Sequence, residues 1–270
     1  MTDTIQPPPH PDEGFDFSGS AVLIAGGTSG VGLATAIAFA RTGCRRLMLL
    51  GRNDERGKRA LDAVHETVPG AGVDFLSADA NDPVSAAEAA GETHRRLGGL
   101  DILVNSVVAP YQPTLLHEIP IADVREILTQ QAVGPLLMSR AVIPFLREQK
   151  SGSIVNIASD AARVPTPGET CLGAAMAAIV TFSRTLALES KRYGVRVNTI
   201  TPSLIVDTGS YDRAMSQPFS KKIFDRIVSQ ASLGLTKPGD LANLVLFLAS
   251  PMSRLITGQV ISVNGGISIA

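Results

Sequence analysis

The chain has 270 residues, 44% of them apolar and 18% charged, which suits one large α/β domain with a substantial core. A net charge of −1 leaves no basic footprint for nucleic acid or for an acidic membrane surface. The two cysteines, Cys44 and Cys171, fall on separate predicted elements, which argues against a disulfide framework and for a reducing, cytoplasmic setting. No secretory leader, no metal ligand set and no apolar run near the roughly eighteen residues of a membrane helix is expected.

Residues 1–16 are polar and rich in proline and are expected to form a flexible tail. From Ser20 onward short apolar runs alternate with amphipathic stretches. Strands are predicted over 21–25, 47–50, 73–77, 102–105, 153–157, 195–200 and 259–263. Helices are predicted over 31–42, 55–68, 83–97, 122–149, 170–193, 220–229 and 238–249. Continuous apolar strands between helices imply a parallel sheet covered on both faces. The expectation is a single doubly wound α/β domain over 17–270 with a seven-stranded sheet.

The first strand runs into Gly26-Gly27-Thr28-Ser29-Gly30-Val31-Gly32, which opens the first helix. Glycine there permits a sharp turn and lets a pyrophosphate approach the helix N-terminus. The spacing of Gly26, Gly30 and Gly32 resembles the G-x-x-x-G-x-G turn of the short-chain dehydrogenase/reductase family. That resemblance implies a Rossmann-type fold and cofactor contacts from Gly26, Thr28, Gly30, Val31 and Gly32. After the second strand stands Gly51-Arg52, where an acid would bond the adenosine ribose. Its absence, with a cation beside it, favours NADP(H) over NAD(H) if any dinucleotide binds; a solvated Arg52 is the plain alternative. Asp79 resembles the family's adenine-binding aspartate, or caps the next helix. The fourth strand ends in Asn105-Ser106-Val107-Val108, where the family reads Asn-Asn-Ala-Gly, and the two valines are expected to crowd the cofactor.

The segment 153–180 resembles the family's active-site stretch, in which a strand-end serine meets a helix-borne Tyr-x-x-x-Lys. Ser159 is retained. Thirteen residues on stands Leu172, and four further Met176, in place of tyrosine and lysine. Aligning Gly134 puts Gln131 where the family has asparagine. Leucine carries no proton, and methionine carries neither charge nor donor. Among substitutes, the Cys171 thiol points about 100° away from Leu172. Asp160 is expected to cap its loop or face solvent, while Tyr111 and His117 could lean over the pocket but read as ordinary loop residues. Beyond the helix, Thr208 or the backbone of Ile205 is a candidate carboxamide contact. Tyr211, Met215 and Phe219 are candidate lid residues over the substrate.

Residues 237–242, 246–250, 257–260 and 263–266 are the most family-like, and in relatives they build subunit contacts. Asn264 stands where aspartate is usual. The resemblance therefore implies a short-chain dehydrogenase-like protein with a degenerate site, the non-catalytic subunit of a hetero-oligomeric alcohol or hydroxyacyl dehydrogenase. It would bind NADP(H) weakly or not at all and pair with a catalytically intact relative, with itself, or with both, as a dimer or tetramer. Two alternatives stay open: an atypical NADP(H)-dependent ketone/alcohol oxidoreductase, and a dehydratase or isomerase on the same pocket.

Overall fold

The structure is a computed structural model and describes residues 15–269. Its first half runs β1 (Ala21–Ala25), α1 (Gly30–Arg41), β2 (Arg46–Gly51), α2 (Asp54–Thr67), β3 (Val73–Ser77), α3 (Pro83–Leu97), β4 (Ile102–Asn105) and α4 (Asp123–Leu128). The second half runs α5 (Gly134–Glu148), β5 (Gly152–Ile157), α6 (Thr170–Ser190), β6 (Val195–Pro202), α7 (Gly209–Ser216), α8 (Pro218–Val228), α9 (Pro238–Ala249) and β7 (Val260–Val263). All pairings are parallel, in the order β3-β2-β1-β4-β5-β6-β7. The order reverses between β1 and β4, which opens a crevice at the carboxyl ends of those strands.

Side-chain alternation along β1 builds two cores. Val22 and Ile24 pack with Phe39 of α1 and with Leu241, Val245 and Leu246 of α9. Leu23 and Ala25 pack on the other face with Ala86 and Ala90 of α3 and with Met138 and Val142 of α5. Burial on both faces is why this strand reads as an unbroken apolar run. Arg196 fastens the far edge: its guanidinium donates to the carbonyls of Leu248, Ala249 and Ser250 at the end of α9. Asn198 likewise holds Ile256 and Gln259 before β7. The Arg196-Val197-Asn198 stretch is thus a structural clamp.

Several expectations are corrected. Residues 1–14 of the predicted tail lie outside the described residues. Phe15, however, packs on the core and stacks on Phe17, whose ring meets Phe39 edge-on at 4.8 Å, so the domain begins before residue 17. The helix predicted over 122–149 is three pieces, because a π turn, Thr129–Val133, joins α4 to α5. Pro135 has no N–H to give the carbonyl of Gln131, so the α-helical ladder is interrupted there. Helix α7 lies where no helix is predicted, and Thr208 caps it by accepting from the Tyr211 N–H. Helix α6 with the short turn after it, Thr170–Tyr193, is long and apolar enough to cross a bilayer, contrary to expectation. Here Ala175, Ile179, Val180 and Ala187 of α6 are buried against the rest of the domain.

Candidate active site

The glycine turn is shaped by contacts that no side chain could share. Gly26 has φ 80°, and a Cβ there would lie 2.5 Å from the carbonyl oxygen of Ser106. A Cβ on Gly32 would lie 2.1 Å from the carbonyl oxygen of Gly26. Gly30, at φ 51°, faces open space bounded by the Thr208 methyl, 3.7 Å from the ideal Cβ position. Ser29 gives α1 no side-chain cap, and no acid occupies its first turn. Backbone N–H groups beside an open glycine suit a diphosphate, and this cradle fits a dinucleotide. Val31 is buried under the turn.

Gly51 is explained by its neighbour: a Cβ there would sit 3.0 Å from Cγ2 and 3.3 Å from Oγ1 of Thr28, so an acid has little room. Arg52 points Nη1 toward Oδ2 of Asp79 at 3.6 Å, and both side chains are largely in water. An exposed pair of this kind is worth little by itself, so the guanidinium is held near the crevice yet free to turn to a phosphate. Asp79 accepts from the Asn81 N–H, while Asp82 caps α3, so the helix-cap alternative for Asp79 is corrected. Asn105 is fully buried, and its amide donates to Asn156, Ser139 and the Pro135 carbonyl, with Asn156 continuing to Ser183. Its side chain belongs to the interior and does not reach the crevice. Of the two valines after the strand, Val107 packs on the core and Val108 is 60% exposed.

Ser159 lies two residues past β5 and accepts from the Ala161 N–H at 3.2 Å, capping a short 3-10 turn, Asp160–Ala162. Helix α6 sits tightly on that turn, since a Cβ at Gly173 would lie 2.7 Å from the Ala161 carbonyl oxygen. Gln131, in the π turn against α6, is buried and donates Nε2 to the Ala109 carbonyl. Its Oε1 is buried with no hydrogen bond among the described residues, and a buried acceptor of this kind calls for water or ligand. Leu172 is half-buried, and Met176 is buried among Ala132, Ala158, Ala175, Ile179 and Val180.

Asp160 contradicts its expectation. It is 5% exposed and accepts from Ser262 at 3.0 Å, Asn264 at 2.6 Å and Ser268 at 2.9 Å. Arg163 lies 3.8 Å from it and also bonds Thr201 and Ser262. An aspartate at 264 would face this carboxylate, which gives the asparagine a physical reason. Nothing local in the sequence signals the cluster, because its partners come from β6, β7 and the segment beyond.

Helix α8 and the segment before α6 are both tied to the loop after β4. Gln112 donates to Ser220 of α8, Tyr111 donates its hydroxyl to the Gly168 carbonyl at 2.7 Å, and the Phe219 ring and Pro113 crowd Gly168. Phe219 thus packs against the segment around Gly168, whereas Tyr211 and Met215 pack on Leu204, Ala214 and Phe224. His117 is exposed on its own turn and does not lean over the site. Burial, with Cys171 and Glu169 adding to it, pushes the Tyr111 phenol up to about 12. Next to it Glu169, which the sequence reading passed over, stands at the N-terminal boundary of α6 without a side-chain capping bond and is half-buried. Burial pushes its carboxyl up to about 7, against an opposing hydrogen bond from Thr166. Its signal in the sequence is spacing alone: it precedes Leu172 by three residues, one helical turn.

The parallel order, the glycine turn at the first crossover and the serine just past β5 define a short-chain dehydrogenase/reductase architecture. The family model described as Enoyl-(Acyl carrier protein) reductase matches residues 25–268, and the chain belongs to the short-chain dehydrogenase/reductase family. Among relatives, the 3-oxoacyl-[acyl-carrier-protein] reductase FabG of Thermotoga maritima is 29% identical over 94% of this chain and 99% of its own length. Levodione reductase superposes with a TM-score of 0.87 at 28% identity, covering 93% of this chain and 98% of that one. An NADPH-bound short-chain oxidoreductase of Pseudomonas aeruginosa PAO1, described as containing an atypical catalytic center, gives 0.85 at 29% identity, covering 95% and 99%.

Proposed function

We propose that this chain is an NADP(H)-dependent oxidoreductase of ketones or alcohols whose proton-transfer group differs from the family's tyrosine and lysine. The observation that carries the reading is the cradle at Gly26, Gly30 and Gly32, sterically closed to any Cβ at two points and open at the third. Arg52 beside the acid-free Gly51 supports the 2′-phosphate form. When bound, the nicotinamide would supply or accept the hydride. The chain's own tasks are then to hold the diphosphate at the α1 N-terminus, to orient the substrate oxygen with Ser159, and to keep water out with α8 and the loop after β4. The relative with an atypical center and bound NADPH supports the combination.

A second reading, the non-catalytic subunit paired with an intact relative, is favoured by Met176, which lies in an apolar cluster where an ammonium would be unpaired. One measurement separates the two. The purified chain is titrated with NADPH and NADH by fluorescence, with co-purifying relatives identified by mass spectrometry. Saturable NADPH binding by the lone chain supports the oxidoreductase, and no binding by it removes that reading.

A further inference from the structure

A hydroxyl has one proton to give and two lone pairs that can accept. At Ser159 one lone pair receives the Ala161 N–H, and among the described residues the proton meets no acceptor. The side chain is therefore set as a donor, and its direction is fixed by the turn Asp160–Ala162. That turn is held from outside. Both oxygens of the Asp160 carboxylate are engaged, Oδ1 by Ser262 of β7 and Oδ2 by Asn264 and Ser268 beyond it. Asn264 is itself fixed, donating to the Ser268 hydroxyl and accepting from the Gly266 N–H. The same stretch carries the segment after α8. Leu233 N–H donates to the Gly265 carbonyl at 3.0 Å, and the Thr236 hydroxyl donates to the Val263 carbonyl at 3.1 Å. A Cβ on Gly265 would have no room against the Gly234 carbonyl. A buried carboxylate is tolerated when charge-assisted bonds of this kind supply its donors, and they fix its place.

From this geometry we infer that Asp160 is the positioning residue of Ser159. It ties the turn that aims the serine proton to the C-terminal segment 262–268, and so directs the hydrogen bond that Ser159 gives to the substrate oxygen. This role rests on the NADP(H)-dependent reading above. The carboxylate is 5% exposed and its oxygens are occupied, so it acts through the serine. The serine bond strengthens as negative charge grows on the substrate oxygen during hydride transfer, which is when its direction matters most. A misdirected serine would leave the glycine cradle intact and lose stabilisation of the transition state.

Two readouts on the full chain test this role, and the first needs no cofactor. With nitrogen-15-labelled alanine, exchange of the Ala161 amide is followed by NMR, its resonance being the one lost in Ala161→Gly. Ala90, buried in the middle of α3, reports global opening. Ser159→Ala should speed exchange at Ala161, and Asp160→Asn and Ser268→Ala should do so about tenfold while Ala90 stays slow. Adding Asn264→Asp to Asp160→Asn exchanges donor for acceptor and should restore the slow rate. Unchanged exchange at Ala161 in Asp160→Asn, or acceleration matched at Ala90, overturns the inference. In the second readout, NADPH affinity and reduction of 9,10-phenanthrenequinone are measured. Ser159→Ala should lose about 10²–10³-fold in kcat. Asp160→Asn should bind NADPH as the parent does and lose up to about 10²-fold in kcat, with recovery in the exchanged pair. In the Ser159→Ala background, Asp160→Asn should have no further effect on kcat. An equal loss in both backgrounds, or no loss in the parent background, overturns the inference. NADPH binding by the parent without any transfer to the quinone removes the serine's part in a reaction and leaves the cofactor reading standing. Failure of the parent chain to bind NADPH overturns the cofactor reading itself, whatever the amide result.

Discussion

Replacing Glu169 with glutamine tests the burial of that carboxyl independently of catalysis. An unfolded glutamate ionises near 4.5, whereas the folded one holds its proton up to about 7. Between those values the folded state binds the extra proton, so stability falls as pH rises and the full penalty is present above about 7. At about 1.4 kcal/mol per tenfold change in proton affinity, the penalty reaches about 3 kcal/mol. The α6 N-terminus opposes burial by favouring the anion, but such dipole contributions are about 0.3–1 kcal/mol and do not reverse the sign. Glutamine keeps the shape and carries no proton to lose. Glu169→Gln should therefore match the parent near pH 4.5 and exceed it by about 2–3 kcal/mol near pH 8 in urea unfolding. A stability difference that is the same at both pH values would show that the carboxyl is not held protonated by burial, and the reasoning would fail.

Arg52→Ala should weaken NADPH roughly 10–100-fold while leaving NADH nearly unchanged, because one charge-assisted contact to the 2′-phosphate is lost; paired fluorescence titrations decide it. Gly32→Ala forces a methyl to within 2.1 Å of the Gly26 carbonyl oxygen, so it should cost about 1–3 kcal/mol in stability and abolish dinucleotide binding, read by denaturation and by titration. Asn264→Asp places a second carboxylate against Asp160 and should destabilise by about 3 kcal/mol or more at neutral pH, with recovery in acid. Asp160→Asn in the same chain should restore most of the loss, as thermal melts at two pH values would show.

The sheet was readable because each of its strands is a short apolar run flanked by turn residues, and β1, β3 and β4 coincide with their predicted bounds. The glycine turn was equally readable, since backbone approach restricts residue type whatever lies around it. What escaped depends on distance. The break before α5 follows from Pro135, which the amphipathic period of 122–149 concealed. Helix α7 was signalled by Thr208 as a cap, but the stretch carries too little apolar periodicity to stand out. Asp160 looked like a solvated loop residue because its donors lie more than a hundred positions away.

The anchor at Asp160 also bears on how the site comes into being. Its donors are 102, 104 and 108 residues further along the chain. Closing loops of that span costs entropy that is recovered only when the last strand docks. During synthesis every residue of the crevice except Ser262, Asn264 and Ser268 emerges before β7, so the serine next to Asp160 acquires its bearing at the final step of assembly. A nascent or shortened chain lacking that strand would own the whole crevice in sequence and have nothing to pin it.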